Sequence, residues 1–208
     1  MGKLRIGVLS YQGSVIEHLK AINSLENAVG VEVKTLEALN SVDGLIIPGG
    51  ESTTIGKLLD IFGLKEPLKK RIEDGMCVWG TCAGLILLAK NIVGEKPYLD
   101  VMDITVRRNA YGRQIDSFNT NQVIEEFSDK PIPLIFIRAP WIESVGSGVK
   151  VLCSLDGHIV AGREKNMLVT SFHPELSDDN TVHKYFADKP KHTPVSYTHL
   201  TLPTKLEV

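Results

Sequence analysis

The feature that most constrains the fold of this 208-residue sequence is the alternation of short apolar runs with amphipathic stretches. The apolar runs have the length of strands and do not alternate with polar residues, which is typical of strands buried on both faces of a parallel sheet. The predicted strands are at 4–9, 31–34, 44–47 and 77–79, and the predicted helices are at 14–25, 54–62 and 66–74. Strands that alternate with helices in this way predict an α/β fold.

The pattern changes after residue 103, where apolar runs follow one another with short links. These runs are at 103–106, 122–124, 135–137, 149–152, 158–161 and 167–170. Short links between strands predict antiparallel pairing and hairpins. We therefore predict a three-layer α/β sandwich whose mostly parallel central sheet carries an antiparallel extension.

The C-terminal residues differ from the rest of the chain. A helix is predicted to begin at Thr181, and Pro190 and Pro194 prevent its continuation. Residues 195–208 show neither helical nor strand periodicity. A chain of this length fits one domain. We predict a domain over 1–188 followed by a tail over 189–208 that is foreign to the fold. His192 and His199 are therefore not site candidates.

Charge and cysteine content exclude several classes of partner. The net charge of −2 and the pI near 6.3 indicate no basic surface for nucleic acid or for an anionic membrane. No apolar run has the length of a membrane span, and the first residues enter a strand pattern without a signal peptide. The three scattered cysteines favour a reducing compartment over a disulfide framework. We expect a cytoplasmic protein that binds neither nucleic acid nor membrane.

A candidate nucleophile, Cys82, lies in the pentapeptide GTCAG at 80–84, between a predicted strand and a helix-like run at 85–90. The pentapeptide is the cysteine version of the G-x-S-x-G elbow, which holds a nucleophile on a strained turn between strand and helix. Glycine at both ends allows a sharp bend and leaves the thiol accessible. The N-terminus of the following helix favours a thiolate.

A thiol nucleophile needs a base and a group that orients the base. His173 follows the predicted strand at 167–170, and Glu175 stands two residues further on. A carboxylate there can fold back on the imidazole, fix its tautomer and stabilise the imidazolium. In isolation His173 is equally well explained as a residue that caps a strand end. The elbow and the adjacent glutamate favour the catalytic interpretation.

A glycine-rich loop, PGGESTT at 48–54, follows one predicted strand and opens a helix. Backbone N–H groups at such a position can face an anion. No Gly-Lys-Ser/Thr follows, so a phosphate-binding P-loop is not supported. The simpler alternative is a turn capped by Ser52 or Thr53. We favour an oxyanion hole in which a glycine N–H, from Gly49 or Gly50, acts together with that of Ala83.

These motifs make the chain resemble the class I, triad-type glutamine amidotransferases and, more narrowly, the glutaminase subunits of pyridoxal 5′-phosphate synthases. GTCAG and FHPE are shared by the triad amidotransferases, whereas GGESTT and RNAYGRQ, at 108–114, mark the narrower group. Further matching segments are GVLSYQG at 7–13, EH at 17–18 and FIRAP at 136–140. The matching segments cover about residues 4–187.

The resemblance implies hydrolysis of L-glutamine to L-glutamate and ammonia, with Cys82 as nucleophile, His173 as base and then acid, and Glu175 as its orienter. The glutamine-binding residues that it implies are Gly50, Glu51, Ser52, Arg108, Ile137 and Arg138. A glutamine site needs cationic donors for the α-carboxylate and an anionic acceptor for the α-ammonium, and Glu51 is the candidate acceptor. The alternative for Arg108 or Arg138 is that it forms a structural ion pair and does not contact the substrate.

The resemblance also implies a partner. Gln12, Gly13 and His18 lie at the start of the first predicted helix, near the carboxyl ends of the strands, where open α/β sheets bind ligands. In the family this edge faces a separate synthase subunit, which uses the ammonia to build pyridoxal 5′-phosphate from ribose 5-phosphate and glyceraldehyde 3-phosphate. The alternative is a solvated helix start. No metal-ligand spacing occurs, and we expect neither a metal nor another cofactor.

Three other interpretations stay open. The first is a stand-alone cysteine hydrolase or peptidase, which activity on peptides would reveal. The second is a glutaminase for a different synthase, such as one of histidine or anthranilate biosynthesis, which partner pull-down would separate. The third is a binding subunit whose triad never assembles, in which case a glutamine-analogue electrophile would fail to label Cys82.

Overall fold

The computed structural model describes residues 2–108 and 117–192. The RNAYGRQ motif after Arg108 and residues 193–208 of the predicted tail lie outside the described residues. The strands are β1 (Leu4–Leu9), β2 (Ala28–Val33), β3 (Gly44–Ile47), β4 (Cys77–Thr81), β5 (Ala89–Ile92), β6 (Met102–Arg107), β7 (Ser117–Gln122), β8 (Ile132–Ile137), β9 (Trp141–Val145), β10 (Lys150–Leu155), β11 (His158–Glu164) and β12 (Met167–Thr170). The helices are α1 (Val15–Asn23), α2 (Leu36–Asn40), α3 (Ser52–Ile61), α4 (Lys65–Glu73), α5 (Ala83–Leu88) and α6 (Thr181–Asp188), with 3-10 turns at Pro174–Leu176 and Lys189–His192.

Within the described residues, ten strands form one sheet in the order β2-β1-β3-β4-β12-β11-β9-β6-β5, with β10 paired to β11. The five strands from β2 to β12 pair in parallel. Because their carboxyl ends meet at one edge of the sheet, the loops after β1, β3, β4 and β12 lie side by side. This arrangement confirms the predicted α/β fold with a mostly parallel sheet.

The rest of the sheet is the antiparallel extension. Strand β11 pairs antiparallel with β12, β10 and β9, and β9 pairs antiparallel with β6. Strand β5 then adds in parallel at the edge. The β7–β8 hairpin forms a separate two-stranded sheet. The predicted antiparallel extension is therefore confirmed.

Two hydrophobic clusters cover the two faces of the central sheet. Along β3 and β4, successive side chains alternate between the clusters, as the period of a strand requires. Leu45 and Val78 belong to the cluster that packs under α3, α4 and α5, whereas Ile46 and Trp79 belong to the cluster under α1, α6 and β8. Helices on both faces of one sheet make the three layers.

The predicted helix at 85–90 lies two residues earlier in the structure. Helix α5 ends at Leu88, and Ala89 takes up an extended conformation and begins β5. The carbonyls of Leu87 and Leu88 accept hydrogen bonds from the N–H groups of Leu99 and Val101. These nonlocal partners replace the next turn of the helix, which a local pattern does not reveal.

Three further elements differ from the prediction. The strand expected at 122–124 ends at Gln122, because the Ile124 carbonyl accepts hydrogen bonds from Phe127 and Ser128 and forms a turn. Strand β9 and helix α2 were not predicted. Helix α2 is a short element that the Thr35 hydroxyl caps through the Ala38 N–H.

No helix among residues 2–108 and 117–192 combines the length and the apolar character needed to cross a bilayer. At the C-terminal end, the 3-10 turn Lys189–His192 follows α6 directly. The ammonium of Lys189 lies over the ring of Tyr185, 4.2 Å from its centroid. The boundary at residue 188 stays a prediction.

Candidate active site

Cys82 forms the turn between β4 and α5. Its backbone is left-handed, with φ 47° and ψ −98°, and its N–H donates to the Thr170 carbonyl at 2.8 Å. Non-glycine residues avoid this region, and they occupy it where the surrounding structure holds them. The Cys82 thiol lies 4.0 Å from the Ile137 carbonyl oxygen. The strained backbone conformation of the elbow is therefore that of Cys82 itself.

The two glycines of the elbow serve close packing. Neither Gly80 nor Gly84 has a positive φ. A Cβ atom at Gly84 would overlap the Ile47 carbonyl on β3, and one at Gly80 would overlap the backbone of Gly84. Glycine is required because α5 begins directly against the sheet.

His173 follows β12 at the same edge of the sheet. Its N–H donates to the Ile135 carbonyl at 2.8 Å, which ties the loop to β8. Its Nδ1 lies 2.8 Å from Glu175 Oε1, and both side chains are buried. An ionised carboxylate accepts hydrogen bonds, so Nδ1 carries the proton and Nε2 is left to act as a base.

The surroundings shift the pKa of both members of this pair. Burial by itself would lower the pKa of His173, but hydrogen bonds with Cys82 and Glu175 outweigh it and raise that pKa. Burial by itself would raise the pKa of Glu175, but the neighbouring imidazoles of His18 and His173 outweigh it and lower that pKa. The pair therefore favours an imidazolium beside a carboxylate.

The glycine-rich loop after β3 lies against the imidazole. A Cβ atom on Gly49 would come within 3.0 Å of His173 Nδ1 and still closer to Cε1. The Gly49 carbonyl accepts a hydrogen bond from the Ser14 N–H at 3.1 Å. Across a trans peptide the Gly50 N–H is antiparallel to that carbonyl and points away from Ser14. Gln12 Oε1 accepts the Glu51 N–H at 2.8 Å.

Glu51 is the N-cap of α3. Its carboxylate accepts the N–H groups of Thr53 and Thr54 and the Thr54 hydroxyl, at 3.2, 2.7 and 2.9 Å. These hydrogen bonds outweigh the opposing effect of burial and lower the pKa of Glu51 to about 2. Arg108 lies 2.9 Å from Glu51 Oε1 and 2.8 Å from Glu95 Oε2, so it bridges the helix cap to the segment after β5.

The elbow, the imidazole and the loop line one open cleft of about 620 Å³. The predicted site residues in its wall are Gln12, Gly13, Gly49, Gly50, Glu51, Ser52, Cys82, Ala83, Arg108, Ile137, Arg138 and His173. Glu175 lies behind His173. Five residues that were not predicted for the site also line the cleft: Ser14, Glu17, Ile86, Pro140 and Leu176. Of these, Ile86 carried a usable signal, since it stands one helical turn after Cys82.

The prediction that His18 faces a partner is wrong, because the side chain is fully buried, with 0% exposed. It points inward from α1, and its Nδ1 lies 2.9 Å from His183 Nε2 on α6. Its Nε2 lies 3.3 Å from Thr81 Oγ1 and 3.5 Å from Glu175 Oε2. The amphipathic pattern of α1 did not separate this position from the solvated ones beside it.

Among the described residues, no cluster of histidine, cysteine, aspartate or glutamate side chains has the arrangement of a metal site. The charged groups of the cleft are Glu17, Glu51, Arg108 and Arg138, together with the titratable Cys82 and His173. Such a set of groups suits a zwitterionic substrate and nucleophilic attack.

Known proteins resemble this chain in sequence, and a solved structure also resembles it in fold. The chain is 59% identical over 184 residues to the pyridoxal 5′-phosphate synthase subunit PdxT of Clostridium kluyveri, which covers 88% of this chain and 97% of that protein. It is 52% identical over 185 residues to the subunit of the same name from Ruminiclostridium cellulolyticum, over 88% of this chain and 98% of that protein. A crystal structure of a glutamine amidotransferase matches with a TM-score of 0.83 and 43% identity, over 89% of this chain and 98% of that chain.

The family model that matches is that of the SNO glutamine amidotransferases, and it covers residues 8–191. This range includes the elbow, the glycine-rich loop and the His173–Glu175 pair. The chain therefore belongs to the SNO glutamine amidotransferase family.

Proposed function

We propose that this chain hydrolyses L-glutamine to L-glutamate and ammonia, with Cys82 as nucleophile, His173 as general base and acid, and Glu175 as the residue that orients His173. The observation that carries this proposal is the 2.8 Å contact between His173 Nδ1 and Glu175 Oε1 beside a strained cysteine elbow in one cleft. Family membership supports glutamine as the substrate.

The first half of the reaction transfers the γ-glutamyl group to sulfur. Cys82 gives its proton to His173, and the thiolate attacks the side-chain amide carbon, so that a C–S bond forms and the carbonyl electrons move to oxygen. The raised pKa of His173 keeps this proton on the imidazole until it is needed. The imidazolium then protonates the nitrogen, the C–N bond breaks, and ammonia leaves a thioester behind.

The second half releases glutamate. Neutral His173 takes a proton from water, and the oxygen attacks the thioester carbon. The C–S bond breaks, and the proton returns to the Cys82 sulfur. Glu175 stays ionised throughout and stabilises each imidazolium that forms.

Backbone groups supply the oxyanion hole in this proposal. The Gly50 N–H points away from Ser14 because the Gly49 carbonyl bonds to Ser14. Ala83 is the first residue of α5, and N–H groups in the first turn of a helix have no partner within that helix. Two such donors stabilise the charge that develops on the amide oxygen.

The charged side chains bind the backbone of glutamine in this proposal. Glu51 and Arg138 are candidates for the α-ammonium and the α-carboxylate respectively. The carboxylate of Glu51 already accepts hydrogen bonds from two backbone N–H groups, a hydroxyl and Arg108. A carboxylate has about four lone-pair sites, so we propose that Glu51 attracts the ammonium mainly by its charge. Arg108 then acts as a brace for Glu51.

We propose that a separate synthase subunit consumes the ammonia to make pyridoxal 5′-phosphate. The relatives with 59% and 52% identity carry the name of a subunit of that synthase. Gln12 and Gly13 lie at the mouth of the cleft, where a partner can reach the loop that they contact.

The test is ammonia release from glutamine by the wild-type chain and by Cys82→Ala, each with and without a pyridoxal 5′-phosphate synthase subunit. We expect release by the wild type, a strong increase with the synthase, and none from Cys82→Ala with unchanged circular dichroism. Full activity in Cys82→Ala would refute the assignment of the nucleophile.

A further inference from the structure

A pair of buried histidines, His18 and His183, lies behind the triad and has no role in the mechanism above. His18 comes from α1 and His183 from α6, and both are fully buried. Their rings meet through His18 Nδ1 and His183 Nε2 at 2.9 Å. On its other side, His18 Nε2 lies 3.5 Å from Glu175 Oε2.

Glu175 uses its two carboxylate oxygens differently. Oε1 accepts the hydrogen bond from His173, whereas Oε2 has no hydrogen-bond partner at normal length among the described residues. A buried carboxylate oxygen without a donor is destabilising. The 3.5 Å separation from His18 Nε2 is longer than an ordinary hydrogen bond and allows electrostatic attraction. His18 is therefore placed to offset, by electrostatic attraction, the missing donor at Oε2 of Glu175.

The contacts determine which nitrogens of the two histidines carry protons. If His18 carried its proton on Nδ1, the lone pair of Nε2 would face the carboxylate of Glu175 and repel it. The favourable tautomer has the proton on Nε2, where it lies near Thr81 Oγ1 and carries its partial positive charge toward Glu175 Oε2. His18 Nδ1 then accepts a hydrogen bond from the Nε2–H of His183, which leaves His183 Nδ1 as the unpartnered atom that the structure shows.

Both histidines are neutral in this arrangement. Burial lowers the pKa of His183 to about 3, and it also lowers the pKa of His18. Besides His183, the titratable groups that act on His18 are Glu175, His173 and, from its own helix, Glu17. The attraction of Glu175 does not overcome the cost of burying a second positive charge.

The pair is held in place by aromatic packing. The ring of Trp79 meets both imidazoles edge-on, with ring centroids 5.6 Å from His18 and 5.0 Å from His183. Trp79 Nε1 in turn donates to Thr170 Oγ1 at 3.1 Å. Thr170 also holds the elbow through its carbonyl, so the same two strands fix Cys82 and the wall behind His18.

We propose that His18 is a positioning residue for the glutaminase reaction. Its Nε2–H holds Glu175 Oε2, so that Oε1 stays on His173 Nδ1, and His183 sets the tautomer that makes this possible. The inference rests on the proposed function for its role in glutamine hydrolysis. The orientation of the His173–Glu175 pair can be tested without glutamine.

The test compares two amide substitutions of equal charge. In His18→Gln the side-chain NH2 reaches the place of Nε2 and faces Glu175, whereas in His18→Asn it matches Nδ1 and faces His183. We expect His18→Asn to lower kcat about tenfold or more with little change in KM, because neither histidine lines the cleft. His18→Gln should recover most of the loss. At position 183, Gln keeps the donor to His18 and should stay near wild type, whereas Asn removes it and should lower kcat.

A second measurement distinguishes a positioning role of His18 from a role in packing alone. It does not depend on the proposed function. The rate of Cys82 alkylation by iodoacetamide, followed on its peptide by mass spectrometry, reports the Cys82–His173 pair at each pH. In His18→Asn the onset of alkylation should move to higher pH, because a loosely held Glu175 stabilises the imidazolium less. In His18→Gln the onset of alkylation should stay near the wild-type pH. This difference between the two variants should hold even if their melting temperatures are equal.

Equal kcat and equal alkylation profiles in His18→Asn and His18→Gln would overturn the proposal. If the wild type releases no ammonia even with a synthase subunit, the proposed function fails, and the alkylation profiles still decide whether His18 positions the pair. If His18→Asn does not fold, His183→Asn against His183→Gln gives the same decision, since only the asparagine removes the donor at Nε2 that sets the tautomer of His18.

Discussion

Arg108 joins two carboxylates, with Glu51 Oε1 2.9 Å from its Nη2 and Glu95 Oε2 2.8 Å from its Nη1. Glu51 caps the helix that begins in the cleft wall, and Glu95 lies in the segment after β5. The guanidinium can make both contacts at once because its donors form a rigid fork. An isolated surface pair adds little stability, so the bridge acts mainly on the position of Glu51.

We expect Arg108→Lys to raise KM for glutamine several-fold and to leave the melting temperature nearly unchanged. An ammonium is a point charge and cannot hold both carboxylates in this geometry. The matched control is Arg107→Lys, because Arg107 pairs with Glu143 on neighbouring strands and does not line the cleft. Equal KM values for the two variants, measured by initial rates of glutamate formation, would show that the bridge has no effect on binding.

Replacing Glu175 by glutamine should lower kcat by about 10²- to 10⁴-fold, because the amide permits the wrong tautomer of the base. It should also reduce the pKa of His173, since the carboxylate is one of the groups that raise it. The imidazolium of His173 would then lose its proton at a lower pH than in the wild type. A pH profile of Cys82 alkylation checks this shift, and an unchanged profile would exclude Glu175 as the orienting group.

Gly49→Ala should reduce kcat about 100-fold, because the added methyl group displaces the imidazole of His173. Overpacking of this kind costs about 1–3 kcal/mol of unfolding free energy. The control is Gly148→Ala, where the nearest atom to the new Cβ is 3.5 Å away and the φ is not left-handed. We expect the control to retain wild-type kcat, and urea unfolding of both variants would measure their stability.

The pH dependence of stability should include a contribution from Glu51. Its pKa in the folded chain is about 2, below the ordinary value of 4.5, so its stabilisation is present above pH 4.5 and is lost as the pH falls through about 2. Loss of a helix cap costs about 1 kcal/mol. Glu51→Gln should therefore be less stable than wild type near pH 7 and similar to it near pH 2. Glu26→Gln, in an exposed turn, is the control and should show no such convergence.

Partner-dependent activation should depend on the first turn of α1. Ile16 is 76% exposed there, next to Gln12 and Gly13. Ile16→Asp should weaken the increase in ammonia release that the synthase subunit causes, without lowering the basal rate. The control is Val151→Asp, which replaces an exposed apolar residue on β10, far from the first turn of α1 in the sequence. Equal stimulation of the two variants would exclude α1 as the partner surface.

Local patterns in the sequence were sufficient to predict the central fold and most of the cleft. The apolar runs of β1, β3, β4 and β12 identify buried parallel strands, because strands covered on both faces have no polar alternation. Parallel strands bring their carboxyl ends to one edge. The elbow at Cys82, the loop at Gly49 and the motif at His173 each follow one of these strands, so their proximity follows from the topology.

Tertiary structure decided which side chains complete the site. His18 and His183 are 165 residues apart in the chain and meet only because α1 and α6 pack on the same face of the sheet. Helical periodicity places a residue on a face but does not say which residue from another helix lies opposite it. For this reason the sequence alone was enough to predict Cys82, His173 and Glu175 as the triad, whereas packing decided that His18 lies behind Glu175 and that Arg108 contacts Glu51.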